Sequence, residues 1–547
     1  MQRATSPTDE GRTMLWHRIP GRMAMLAAGL LGLAWAPRPA AAQSAGDEVV
    51  YQIFVRSFRD SNGDRIGDLR GIQEELGYLQ DLGVTSLLLT PINPSPAYHN
   101  YFASSIWGVD STFGNMAAWA NLVEAVHARG MKIYLDREDQ YATGDNPWFK
   151  ESLGHPESRY GHYILYKDST NTVPEPIIYG LTALPSWDGT MIPVATVNLL
   201  DPGVQRDIDS LYVSLVDPNR DGRFNDGVDG FRLDHMMDDL DGSPKLPHLF
   251  ADFWAPLFAK VRAVNPRVRL IAEQSDWGYG EDWLTRGGAD MVFAFALQRG
   301  IASFNRDFLA QVILATLAHT PPGKGQLVMI ENHDMNRFAS RVDGDLRREK
   351  VGAALDILLE GTPLIYYGQE IGVRGKQSNA WHTDANDIPD REAMRWTPRL
   401  EDPGSAIWYQ GSGPWWTGRY NRDSDGVSVA EETGDPRSLL SYYRRLLAIR
   451  RARVELRQGD ERILATDRSS VLAVVRGTPA AASLLLVNLS DSAATVSVAR
   501  DSLPLTLARL RLTDLVTGAT ETVSGRALRV ALPPYGVKLL GSMGGAR

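Results

Sequence analysis

The chain of 547 residues contains no cysteine. That absence excludes a disulfide scaffold, a thiol nucleophile, a cysteine-based zinc site and a lipid anchor attached through cysteine. A basic excess is also missing, because 57 Lys+Arg stand against 66 Asp+Glu for a formal net charge of −9. Phosphate backbones demand the opposite balance, so nucleic acid is not an expected partner. Past the N-terminal segment, no apolar run reaches the about 20 residues that a membrane-crossing helix needs.

What is plentiful is core-forming and aromatic. Hydrophobic residues make up 43% of the chain. That rules out a mostly disordered protein, and the length corresponds to about two to four domains. Trp is as frequent as Met, at 14 each. So many flat, amphipathic rings point to a wet, ring-shaped ligand such as a sugar, although large cores absorb aromatics too.

Residues 23–36 read MAMLAAGLLGLAWA, preceded by Arg18 and Arg22 and followed by APRPAAAQ. The stretch is too short to span a bilayer, and Ala40, Ala41 and Ala42 supply a small-residue cleavage pattern. Residues 1–42 are therefore expected to be a secretory signal. The mature chain, from near Gln43, is expected to be periplasmic or secreted and free of the membrane.

Strand-like runs at 49–55, 86–89, 131–135, 228–233, 268–272, 291–295, 327–330 and 364–367 alternate with helix-like segments. Ile72, Leu76, Leu79 and Leu82 fall at helical spacing before Gly83; Trp119, Leu122, Val123 and Val126 do so before Gly130. This α/β alternation predicts a closed (β/α)8 TIM barrel over residues 47–455. Between the third strand and the helix near Val204 lies a Pro-, Tyr- and Gly-rich stretch far longer than an ordinary βα loop. It predicts a small inserted domain at 137–203. Runs such as SVLAVV, SLLLVNL and ALRVAL, separated by turn residues, predict a C-terminal all-β sandwich at 456–547.

Chemistry in such barrels sits at the C-terminal ends of the strands. Asp234 closes GVDGFRLD, Glu273 ends the apolar run of RLIAE, and Asp334 closes VMIENHD. One carboxylate in such a place commonly caps the next helix. Three of them, two beside Arg232 and His333, are harder to assign to capping. Glycoside hydrolysis needs this inventory: one carboxylate to attack the anomeric carbon and one protonated acid for the leaving oxygen.

DGFRLDH, LIAEQ and ENHD, with GTPLIYYGQEIG behind them, resemble the signature of the alpha-amylase family, glycoside hydrolase family thirteen, from residue 49 onward. The resemblance implies that Asp234 is the nucleophile, kept ionised by Arg232, and that Glu273 is the general acid/base with a raised pKa. It also implies that Asp334 holds substrate hydroxyls, that His333 binds the same sugar, and that Tyr101 in AYHNYFASSIWG stacks under it. The implied reaction is double displacement with retention through a covalent glycosyl-enzyme.

The sequence also departs from the family. Aligned on Asp136 and on Pro147, Trp148 and Phe149, the segment LDREDQYAT puts Gln140 and Tyr141 where the family carries a calcium-binding asparagine and a substrate-binding histidine. Phe102 stands in place of an aspartate, while His235, Met237 and Asp238 replace a small residue and a Lys-His pair after the nucleophile. These positions line the leaving-group side in relatives, so His235 and Tyr141 are candidate substrate contacts and the substrate preference is expected to differ from ordinary starch hydrolysis.

Two loops offer oxygen ligands at alternate positions. Asp60, Asn62, Asp64, Ile66 through its carbonyl, and Asp68 resemble a calcium loop of several family members. Asp217, Asn219 and Asp221 repeat the alternation before the fourth strand. Structural calcium is the expected cofactor, against the alternative of plain polar turns. The leading expectation is a hydrolase of α-1,4-glucans such as starch, glycogen or maltooligosaccharides. A transglycosylase or sucrose- or trehalose-type isomerase on the same barrel, and a non-catalytic carbohydrate-binding protein, are the alternatives.

Overall fold

The computed structural model describes residues 47–508 and 511–542. Its barrel begins with β1 (Val50–Ile53), β2 (Ser86–Leu89) and β3 (Lys132–Arg137). Three short strands of the insertion follow, β4 (Tyr141–Thr143), β5 (Ala183–Pro185) and β6 (Met191–Thr196). The barrel then resumes with β7 (Gly230–Met236), β8 (Arg269–Gln274), β9 (Met291–Phe293), β10 (Gly325–Val328) and β11 (Thr362–Tyr366). Pairing is parallel throughout, and β1 closes the ring by bonding both β2 and β11.

A strand covered on both faces reads as an apolar run instead of an alternation. SLLL of β2 and TPLIY of β11 are buried at every position. Val50, Leu88, Tyr134, Ile271, Met291, Leu327 and Leu364 form a cluster of their own that fills the barrel, separate from the larger core against the helices.

The elements differ in detail from expectation. The first long helix is broken at Glu75 into Leu69–Glu74 and Leu76–Leu82, and Gly83 ends the second piece at φ 108°, a left-handed turn that favours glycine. β1 stops early because a helical turn, Val55–Phe58, starts at once. β7 runs on past Leu233 to Met236 through a register shift against β8. The insertion forms a three-stranded sheet of order β4-β6-β5. Because β4 follows β3 almost directly, this sheet stands at the C-terminal mouth of the barrel.

The C-terminal strands are β12 (Asp460–Ile463), β13 (Val471–Gly477), β14 (Ala482–Asn488), β15 (Ala494–Ala499), β16 (Arg511–Asp514), β17 (Thr520–Ser524), β18 (Ala527–Leu532) and β19 (Val537–Gly541). They pair antiparallel in the order β12-β13-β14-β19-β16-β17-β18-β15. Val496 and Val530, from one end of that order, share a core with Val471, Ala473 and Val475 near the other, so the sheet folds over into a sandwich. The alternate residues Leu472 and Val474 of β13, with Leu485 and Val487 of β14, join the barrel's outer core instead. Both faces of these two strands are therefore apolar and buried.

Candidate active site

Residues two apart on a strand share a face, which places Arg232 and Asp234 of β7 together. Arg232 is fully buried, and its guanidinium meets three carboxylates. Nη1 donates to Asp136 Oδ1 at 2.8 Å and to Asp234 Oδ1 at 2.5 Å, and Nη2 lies 2.8 Å from Glu273 Oε2. Each acid comes from a different strand, β3, β7 and β8.

In a regular strand His235 would face away from Asp234. The register shift in β7, with His235 at φ 45°, turns both toward one cavity of about 560 Å³. Gln140 holds this irregular backbone, since its Nε2 donates to the carbonyls of Asp234 (2.6 Å) and His235 (3.1 Å). The His235 N–H in turn donates to Glu273 Oε2 at 3.0 Å.

Opposite them, His333 and Asp334 follow β10. Asp334 lies 3.0 Å from both His333 Nε2 and Arg391 Nη2. Arg391 also donates to the His333 carbonyl and the Tyr98 hydroxyl, at 2.9 and 2.8 Å. The Tyr101 hydroxyl donates to Asp136 Oδ2 and meets His333 Nε2, both at 2.7 Å, and the two rings stack within 6° of parallel.

Burial is the largest influence on each acid. It pushes Asp136, Asp234 and Glu273 upward, against the pull of Arg232; for Glu273 the charges of Asp234 and Asp334 add to the rise. At Asp334 burial is outweighed by His333 and Arg391, which hold it below the ordinary carboxylate range. The arrangement thus sets a carboxyl disposed to keep its proton, Glu273, across the cavity from one held as an anion, Asp334, the kind of separation that acid–base chemistry uses.

Asp234, Glu273, Asp334, Tyr101, His333, His235 and Tyr141 all line the cavity, and Arg232 lies beneath them. Asp136, Arg391 and Asp241 are additional. Asp136 closes an apolar run as the other acids do, so the same sequence signal marks it. Arg391 sits in the irregular Asp384–Arg391 segment and carries no such signal.

Residues 52–459 match the family described as "Alpha amylase, catalytic domain". The chain belongs to the alpha-amylase family. Alpha-amylase 3 of Dictyoglomus thermophilum is 27% identical over 438 residues, covering 77% of this chain and 80% of that protein. Trehalose synthase/amylase TreS of Mycolicibacterium smegmatis is 28% identical over 494 residues, covering 78% and 79%. Among solved structures, the alpha-amylase from H. orenii superposes with a TM-score of 0.73 at 26% identity, covering 90% of this chain and 99% of that one. Residues 468–540 match the C-terminal immunoglobulin-like domain of D-apionate lactonase. As a family member the chain is an enzyme of the glycosidase and transglycosylase class acting on O-glycosyl compounds.

The two loops read as calcium sites lie outside this cavity, and their side chains accept hydrogen bonds within the loops. Asp60 accepts from the N–H groups of Asn62, Gly63 and Arg65, and Asn62 and Asp64 accept from those of Asp64 and Ile66. Asp68 is taken up by Ser61 and by the Gly71 N–H at a helix start. Asp217, Asn219 and Asp221 likewise accept from N–H groups of their own turn. Among the described residues no group of three or more His, Asp or Glu could hold a metal ion. The expected secretory signal, residues 1–42, lies outside the described residues.

Proposed function

We propose that the protein hydrolyses α-glucosidic bonds of α-1,4-linked glucans or maltooligosaccharides with retention of configuration. The observation that carries this reading is the single guanidinium of Arg232 shared by Asp234 and Glu273. It keeps the two carboxyls close, which favours the shorter spacing of a double displacement over the wider one that admits a water between them. Asp234 attacks the anomeric carbon while Glu273 protonates the departing oxygen; Glu273 then takes a proton from the water that releases the sugar from Asp234. Asp334, His333 and Tyr101 hold the ring under attack.

Asp234→Asn and Glu273→Gln are each expected to lower kcat by about 10³-fold or more while the melting temperature changes little. Proton NMR of freshly formed product is expected to show the α-anomer first. Initial β-anomer, or near-normal turnover in either variant, overturns the reading.

A second reading, transfer to a sugar acceptor, is favoured by the insertion's apolar residues Ile178, Tyr179, Leu181 and Leu184 on the cavity wall, which disfavour water. Relatives named for trehalose synthesis and glucan transfer are consistent with it. Longer oligosaccharides formed from maltotriose would decide for transfer. Export with cleavage ahead of Gln43 belongs to the same proposal, and N-terminal sequencing of the mature protein tests it.

A further inference from the structure

Between β3 and β4 the chain runs through Glu138, Asp139 and Gln140, and all three side chains are buried. Acids and amides are rarely buried without partners. Asp139 has them in Arg137 and in the Tyr212 hydroxyl, which donates to its Oδ2 at 2.6 Å. Gln140 has them as well, since Oε1 accepts from the Asp139 N–H at 3.0 Å while Nε2 serves the Asp234 and His235 carbonyls.

Glu138 is only half served. Its Oε1 accepts from the N–H groups of Gln140 and Tyr141, at 2.6 and 2.9 Å, but Oε2 has no partner among the described residues. Burial pushes this acid well above the ordinary carboxylate range, the charges of Asp234 and Asp139 add to the rise, and the two N–H bonds oppose it. A carboxyl that keeps its proton offers the backbone a carbonyl oxygen in place of a charge.

The two N–H groups that Glu138 holds belong to the residues that hold the end of β7. Gln140 carries the amide bonded to the Asp234 carbonyl, and the Tyr141 hydroxyl donates at 2.7 Å to Asp241, which lies 3.2 Å from His235 Nε2. Just past β6, the Val197 N–H donates to the Gln140 carbonyl at 2.8 Å, so the insertion fixes the link from its other side. An apolar side chain at position 138 would leave two buried N–H groups unbonded and release the arm that reaches β7.

We propose that Glu138 is a positioning residue: by clamping the Gln140 and Tyr141 N–H groups it sets the Gln140 amide against the end of β7 and so holds Asp234 in line for attack. The proposal rests on the retaining-glycosidase reading above. Glu138 does not line the cavity and acts only through Gln140 and β7.

The test compares Glu138→Gln, which keeps a carbonyl oxygen at the same reach, with Glu138→Leu, which keeps the bulk and loses the acceptor. Activity is read on maltose and on α-glucosyl fluoride. Fluoride departs without needing a proton, so its release depends on the nucleophile and not on Glu273 as an acid. Glu138→Leu is expected to lower kcat about 10-fold or more on both substrates with KM changed less than about 3-fold, and Glu138→Gln to restore kcat to within about 3-fold of wild type. Normal kcat in Glu138→Leu overturns the proposal, and so does a loss confined to maltose, which would place the effect at Glu273. A Glu138→Gln variant as impaired as Glu138→Leu also overturns it; if EDTA then inactivates the wild type too, the unbonded oxygen is a cation ligand. Should Glu138→Leu fail to fold, Gln140→Asn carries the test, because it leaves the Glu138 acceptor in place and withdraws the amide by one methylene. Normal kcat of that variant on the fluoride overturns the proposal. A wild-type enzyme inactive on both substrates overturns the glycosidase reading itself, a distinguishable failure.

Discussion

Arg232 is one cation among Asp136, Asp234 and Glu273, with Asp334 a further anion in the same cavity. Interacting acids of this kind titrate as a group. Burial and neighbouring anions raise Glu273, so its proton persists to higher pH, whereas Asp334 stays ionised well into acid. The kcat/KM profile is expected to be bell-shaped, falling in acid as the nucleophile gains a proton and in alkali as Glu273 loses one. A flat profile from pH 4 to 9, measured on maltose, would contradict these roles. The acids were legible in the sequence because each closes an apolar run. Their partners were not, since Arg391 reaches Asp334 from an irregular segment that no periodicity marks.

The element that matters most to the site is the irregular end of β7. Strand β7 itself was readable from its apolar run, and the resemblance gave His235 as a substrate contact, but the register shift that turns it to the same cavity as Asp234 leaves no composition signal. Gln140 was legible only as a departure; its bonds to two carbonyls depend on where β3 ends relative to β7. Gln140→Leu keeps the bulk but strips the donor from both carbonyls. Leaving buried carbonyls unbonded costs about 1–3 kcal/mol each. The variant is expected to lose activity about 10-fold or more and to melt earlier, as calorimetry and maltose assays would show.

Across the whole molecule, buried acids couple stability to pH. Burial raises Glu349, Asp384, Glu392, Glu432 and Glu461 to about 7 and Asp390 to about 8. Each folded-state pKa lies above its unfolded value, so the folded protein binds more protons between those limits. The stabilisation is complete below about pH 4 and is lost as pH rises through 7 to 8. The melting temperature is expected to fall by roughly a few degrees between pH 5 and pH 8 in differential scanning calorimetry. A rise over that interval would mean that these acids are solvated or paired in the folded state.

The doubly apolar strands β13 and β14 bear on modularity. Residues 468–540 match a family of their own, which invites treating them as an exchangeable part. Yet Leu472, Val474, Leu485 and Val487 belong to the barrel's core, and Arg476 of β13 donates to the Leu358 and Gly459 carbonyls. A chain cut before β12 would expose a leucine- and valine-lined seam, and a foreign sandwich grafted there would have to reproduce it. Recombination between relatives should therefore succeed when the crossover carries the helices Leu346–Leu358, packed on β19, and Val454–Gln458, packed on β13 and β14, along with the sandwich, and fail when it separates them.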